Sequence, residues 1–148
     1  MTFAKQNDTI VGRTPAPTAD DVCLVAPRFV QEFVQEDGEI GNVGAIGILP
    51  AGCTPALPML VDSTGIGSLI SIGILNADGT DLSNDAIDGG GPWATGVDVN
   101  MSGAYQVGPS LCLMSVKKTS YDRLIAIKFE SGCSDGTVGI TVAYRSPV

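Results

Sequence analysis

The stretch NDAIDGGGPWATG, residues 84–96, holds the residues of this chain that most invite a chemical reading. Acidic side chains lead into three consecutive glycines, followed by proline and the single tryptophan. A phosphate cradle of the P-loop kind needs Lys and then Ser or Thr after its last glycine, and a dinucleotide fingerprint needs G-x-G-x-x-G running into a helix. Here Gly91 is followed by Pro92 and Trp93, and proline removes one of the N–H donors a cradle relies on. Asp78, Asp81, Asp85 and Asp88 supply the oxygen ligands that calcium takes, but their spacing departs from the D-x-[DN]-x-[DN]-G-x5-E loop. Aspartates of this kind also stabilise turns through their own backbone. The stretch therefore reads as a displayed loop, with no cofactor and no metal expected.

Other chemistry finds few footholds. The chain has no histidine, which removes the commonest general base and the commonest metal ligand together. Asp62 and Asp122 are candidates for a carboxylate pair of the glycosidase kind, although nothing in the sequence selects these two. The cysteines at 23, 53, 112 and 133 follow no C-x-x-C pattern and read as small buried thiols in a reducing cytoplasm. With 8 basic against 16 acidic residues, the net charge of −8 offers no footprint for a nucleic-acid backbone. No apolar run approaches the roughly 18 residues of a membrane span, and the opening MTFAKQNDTIVGRT lacks the apolar core of a secretory signal. The expectation is a non-enzyme with neither nucleic acid nor membrane as partner.

What positions these residues is a succession of short apolar segments cut by turn signals. VCLVAPRFVQEFV (22–34), VGAIGIL (43–49), LPMLVD (57–62), SLISIGIL (68–75), SLCLMSV (110–116), DRLIAIKFE (122–130) and TVGITVAYR (137–145) each read as a strand. In the last, Val138, Ile140, Val142 and Tyr144 alternate onto one apolar face. Seven or eight short strands with Gly, Pro, Asp or Ser turns predict an all-β single β-sandwich, jelly-roll-like or Greek key. The repeated IGIL at 46–49 and 72–75 predicts two core strands whose glycines admit a close neighbour. Residues 1–20, with RTPAPTADD, read as an extended N-terminal arm before a sandwich domain at 21–148. The long connection from Asn76 to Gly108 reads as a contact loop carrying Trp93, either as a cap on the core or as an interface anchor.

The segments IGILPAGCTPALPMLVD, SIGILNADGTDLS, PWATG, DRLIAIKF and GTVGITVAYR together resemble small virion structural proteins of tailed bacteriophages. The resemblance covers about residues 40–145 and includes no catalytic motif. It implies a capsid decoration, or cement, protein made in the host cytoplasm, placed on the outer surface of the virion, with the major capsid protein as partner. It also implies a homo-oligomer, a trimer or dimer on a lattice axis. The candidate partner-binding residues are Phe3, Ile10, Val11 and Arg13 in the arm and Trp93 in the loop. The alternatives are another virion component such as a tail or head-fibre protein, a carbohydrate-binding adhesin sandwich, and a hydrolase using Asp62 and Asp122.

Overall fold

A computed structural model of the chain describes residues 3–7, 9–12 and 24–145. Among them are nine strands: β1 (Leu24–Val25), β2 (Arg28–Phe33), β3 (Val43–Leu49), β4 (Thr54–Thr64), β5 (Leu69–Ile74), β6 (Ala94–Asp98), β7 (Ser102–Val107), β8 (Arg123–Phe129) and β9 (Gly136–Arg145). A four-residue helix, α1 (Leu111–Met114), lies between β7 and β8. β1 and β2 both pair with β9, interrupted at Ala26 and Pro27, and so act as one broken strand. Its partner β9 continues to β4 and β7, while β3, β8, β5 and β6 form the second sheet. All pairings are antiparallel.

The pairings nest. β2 joins β9, β3 joins β8, β4 joins β7 and β5 joins β6. That is one long folded hairpin with its tip between β5 and β6, its successive pairs falling in alternate sheets: a jelly roll. Antiparallel alternation gathers the β3–β4, β5–β6 and β7–β8 loops at one end of the sandwich and the remaining loops at the other.

The core follows from the alternation. Val138, Ile140, Val142 and Tyr144 turn inward from β9 as expected, and Phe29 and Phe33 do so from β2. In β5, Ile70, Ile72 and Ile74 face the core, but Ser71 and Gly73 on the other face are buried too. Gly73 lies under Pro92 and Leu82, and a second small cluster of Val43, Leu82 and Ala126 packs outside the sheet. The long β5–β6 connection therefore folds back as a cover. The IGIL glycines have the close neighbours expected of them: a Cβ at Gly47 would lie 2.6 Å from the Phe29 ring, and one at Gly73 would lie 3.4 Å from the Pro92 backbone.

Two segments differ from the sequence expectation. Residues 110–116 form no strand; the Ser110 hydroxyl accepts from the Leu113 N–H at 3.1 Å and starts α1. An N-capping serine offers the backbone a helical start that apolar content alone does not reveal. The connection 76–108 contains the edge strands β6 and β7. Their side chains are mostly exposed, so neither presents an apolar alternation to read.

Gly47→Ala should lower stability by about 1–3 kcal/mol, because the new methyl must displace an aromatic ring held in the core. Gly73→Ala, with more room, should cost less. Thermal unfolding of the two variants against the unaltered chain measures the difference.

Candidate interaction surface

The three loops at the β3–β4 end share one anchor. Arg123, at the start of β8, is 4% exposed, and its guanidinium reaches into all of them. Nη1 donates to Asp88 Oδ1 at 3.0 Å and to the Ile87 carbonyl at 3.1 Å, both in the β5–β6 loop. Nη2 donates to the Lys117 carbonyl at 2.7 Å in the β7–β8 loop and lies 3.5 Å from the Cys53 carbonyl before β4. The other Asp88 oxygen accepts from the Ser83 hydroxyl at 2.6 Å. A buried carboxylate thus has its charge met and both oxygens bonded, the condition under which such a group is tolerated in a core.

This arrangement explains NDAIDGGGPW. Asp88 turns inward to Arg123, and Gly89 and Gly90 take positive φ values of 104° and 86°, a conformation that L side chains adopt only with strain. Gly89 also passes directly over the Cys112 carbonyl, leaving no space for a side chain. Trp93 is fully buried; its indole N–H donates to the Asp88 carbonyl at 3.3 Å, and its own carbonyl accepts from Ser110 Oγ at 2.6 Å. The glycines therefore shape a turn that returns the chain from a buried ion pair to a core tryptophan.

The other acidic candidates are dispersed. Asp81 pairs with Lys128 at 2.8 Å, which holds its carboxyl below the usual carboxylate range. Asp62 is held low mainly by its hydrogen bonds from Arg28, at 2.9 Å and 2.5 Å, laid across Gly139 on the outer face of its sheet. Asp122 lies just before β8 in the other sheet and accepts from the Ala51 N–H at 2.8 Å. A cleft of about 290 Å³ beside Arg123 is lined by Asp85, Asp88 and Asp122 but not by Asp62. The geometry does not bring Asp62 and Asp122 to a shared cavity. No group of three or more metal-ligating side chains occurs among the described residues. Among the described cysteines, Cys53 is buried and Cys112 and Cys133 are half-buried.

The residues expected to meet a partner fall in different places. Phe3 is buried in the core at the end opposite Trp93, edge-on to Phe33 and Phe129. Neither Phe3 nor Trp93 has surface to offer a partner in this conformation. Ile10 is half-buried and Val11 is exposed, while Arg13 lies outside the described residues. The apolar side chains that do face solvent at the Arg123 end are others. Leu111 is 83% exposed, Met114 63% and Tyr121 56%, and Ile87, next to Asp88 in sequence, is 36% exposed. Lys117 and Lys118 stand exposed on the same loop. Sequence reasoning missed Leu111 and Met114 by assigning them to a strand; the Ser110 cap, three residues before Leu113, was the available signal. Exposed apolar groups on a rigid frame have the character of a protein-binding surface.

No family model matches the chain, and no curated protein matches it significantly. Solved structures do. A chain in the capsid of Ralstonia phage GP4 superposes with a TM-score of 0.73 at 18% identity, covering 97% of this chain and 97% of that one. A chain in the capsid asymmetric unit of cyanophage Pam1 superposes with a TM-score of 0.51 at 14% identity, covering 91% of this chain and 94% of that one. At such identities the likeness is one of fold.

Arg123→Leu should destabilise the domain by about 3–5 kcal/mol, since it leaves Asp88 buried without its cation. Arg123→Leu combined with Asp88→Leu should cost less than the single change, because no uncompensated charge remains. Denaturant titration of both variants measures this coupling; a neutral single variant would show that the loops are held by other means.

Proposed function

We propose that this chain is a structural component of a bacteriophage virion, and within the virion a decoration protein that binds the assembled capsid shell. The observation that carries the proposal is the superposition of the jelly roll, nearly end to end, on a chain from a phage capsid. A net charge of −8 agrees with a place on the outer surface of a particle, away from packaged DNA.

The attachment surface in this proposal is the Arg123 end, with Leu111, Met114, Tyr121 and Ile87 meeting apolar hollows of the major capsid protein. Because the three loops share a buried anchor, little ordering entropy is lost when they dock. Ile10 and Val11 supply a second contact on the arm side, and two contacts on neighbouring shell subunits raise the effective concentration for each other. A protein that binds the assembled lattice and not free subunits stabilises the lattice by mass action. The outer edges of β6 and β7, unpaired among the described residues, give copies of this chain a route to a symmetric trimer or dimer.

The test is density-gradient separation of a lysate from infected cells, probing each fraction for this protein. Migration with filled heads, tailless ones included, is the expected result. Migration with tails alone would make it a tail part, and absence from every particle fraction would refute the virion reading. Leu111→Asp with Met114→Asp, both at exposed positions, should leave folding intact and reduce head-bound protein at least tenfold. Undiminished binding of that variant would move the attachment surface elsewhere.

A further inference from the structure

Residues 3–7, Phe-Ala-Lys-Gln-Asn, are held by the domain as a peptide is held by a receptor. The Phe3 ring fills a hollow that exists because residue 44 is glycine; a Cβ there would lie 2.6 Å from the ring. Phe33 and Phe129 meet it edge-on, with ring centroids 4.9 Å and 6.0 Å away. Asp37 Oδ1 accepts from the Ala4 N–H at 2.9 Å. The Gln31 side-chain amide donates to the Lys5 carbonyl. Glu32 pairs with the Lys5 ammonium at 2.6 Å, and the Asn7 amide donates to the Ile46 carbonyl at 2.5 Å.

Two features mark this as a built site. Gln31 is fully buried on the same inward face of β2 as Phe29 and Phe33, and Asp37 is 4% exposed. Burying such groups is costly unless they are hydrogen-bonded, and the segment's backbone adds a partner to each. The Lys5 carbonyl joins the Glu32 carbonyl on the Gln31 amide nitrogen, and the Ala4 N–H joins the Val34 N–H on Asp37, while Gln31 Oε1 has no partner among the described residues. The site also reads side chains: an aromatic ring at one position and a cation two residues later. An ordinary frayed terminus has no such complement.

We propose that this socket takes residues 3–7 of a second copy of the chain in exchange for its own. Every contact above joins the segment to residues 31–46 or to Phe129, so an identical segment from a neighbour satisfies the socket equally. The eleven residues 13–23 between Gly12 and Leu24 span up to about 36–40 Å when extended. That is comparable to the diameter of a domain this size, whose radius of gyration is about 14 Å. A copy's own segment wins when the protein is dilute, and exchange competes once copies are crowded, where the effective concentration of a neighbour's segment rises. The socket then recognises Phe-x-Lys in trans and links copies without any new interface. This inference stands on the socket alone and is tested without a capsid, so its failure would leave the virion proposal untouched.

The test uses the unaltered chain in two isotopic forms, unlabelled and fully nitrogen-15 labelled. The two are mixed in equal amounts over a range of concentrations and equilibrated. A carbodiimide then joins Lys5 to Glu32 as a zero-length amide, and mass spectrometry of the digest reads the linked peptides. Exchange predicts Lys5–Glu32 links with one light and one heavy half, their share rising with concentration towards one half. An excess of synthetic peptide with the sequence of residues 2–8 should suppress them, and Phe3→Ala should reduce them at least tenfold. Links confined to light–light and heavy–heavy pairs at every concentration would overturn the proposal. So would the absence of Lys5–Glu32 links altogether, or mixed links that survive Phe3→Ala undiminished, since those would arise from collision.

Discussion

One buried arginine sets the form of one end of this molecule. A jelly roll hydrogen-bonds its strands to one another, but it leaves the loops at each end to find partners of their own. Here the Arg123 guanidinium accepts that task by donating to a carboxylate and carbonyls from three separate loops. A desolvated ion pair contributes little net stability compared with apolar packing, yet it is exacting in geometry, because an unpaired partner is expensive to bury. The three loops are thereby held in one arrangement. That arrangement turns Asp88 and Trp93 inward and leaves Leu111, Met114 and Tyr121 outward. A surface so fixed can bind a partner at small entropic cost.

The opposite end is organised by aromatic packing. Phe3, Phe33 and Phe129 meet edge-to-face in a space opened by Gly44, and Gln31 and Asp37 bind the adjoining backbone. The two ends thus differ in kind. At one, three loops share a buried ion pair; at the other, a socket is filled by a short piece of the chain. The proposed decoration role would use both, since affinity for an ordered array comes from joining modest interactions.

The sandwich was legible because its central strands carry their fold in side-chain period. TVGITVAYR and DRLIAIKFE place apolar residues where the two sheets meet, and the structure buries them there. β6 and β7 were not legible, since an edge strand needs no apolar face and theirs is largely solvated. The burial of both faces of ISIGI (70–74) was hidden as well; it depends on a cover from residues 82–93, farther along the chain. The glycines of IDGGGPW announced a turn, but which way Asp88 pointed depended on Arg123, 35 residues away. Phe3 looked like part of a free arm because nothing near it in sequence signals the hollow at Gly44. In each of these cases the missing information is a long-range contact, which local pattern cannot encode.

The most direct test of the account is a reconstruction of the phage particle at a resolution that traces side chains. The account predicts density for this jelly roll on the outer surface of the shell, with the Arg123 end inward and Leu111 and Met114 against the major capsid protein. A jelly roll bound with that end facing solvent, or found only in the tail or nowhere in the particle, would contradict it.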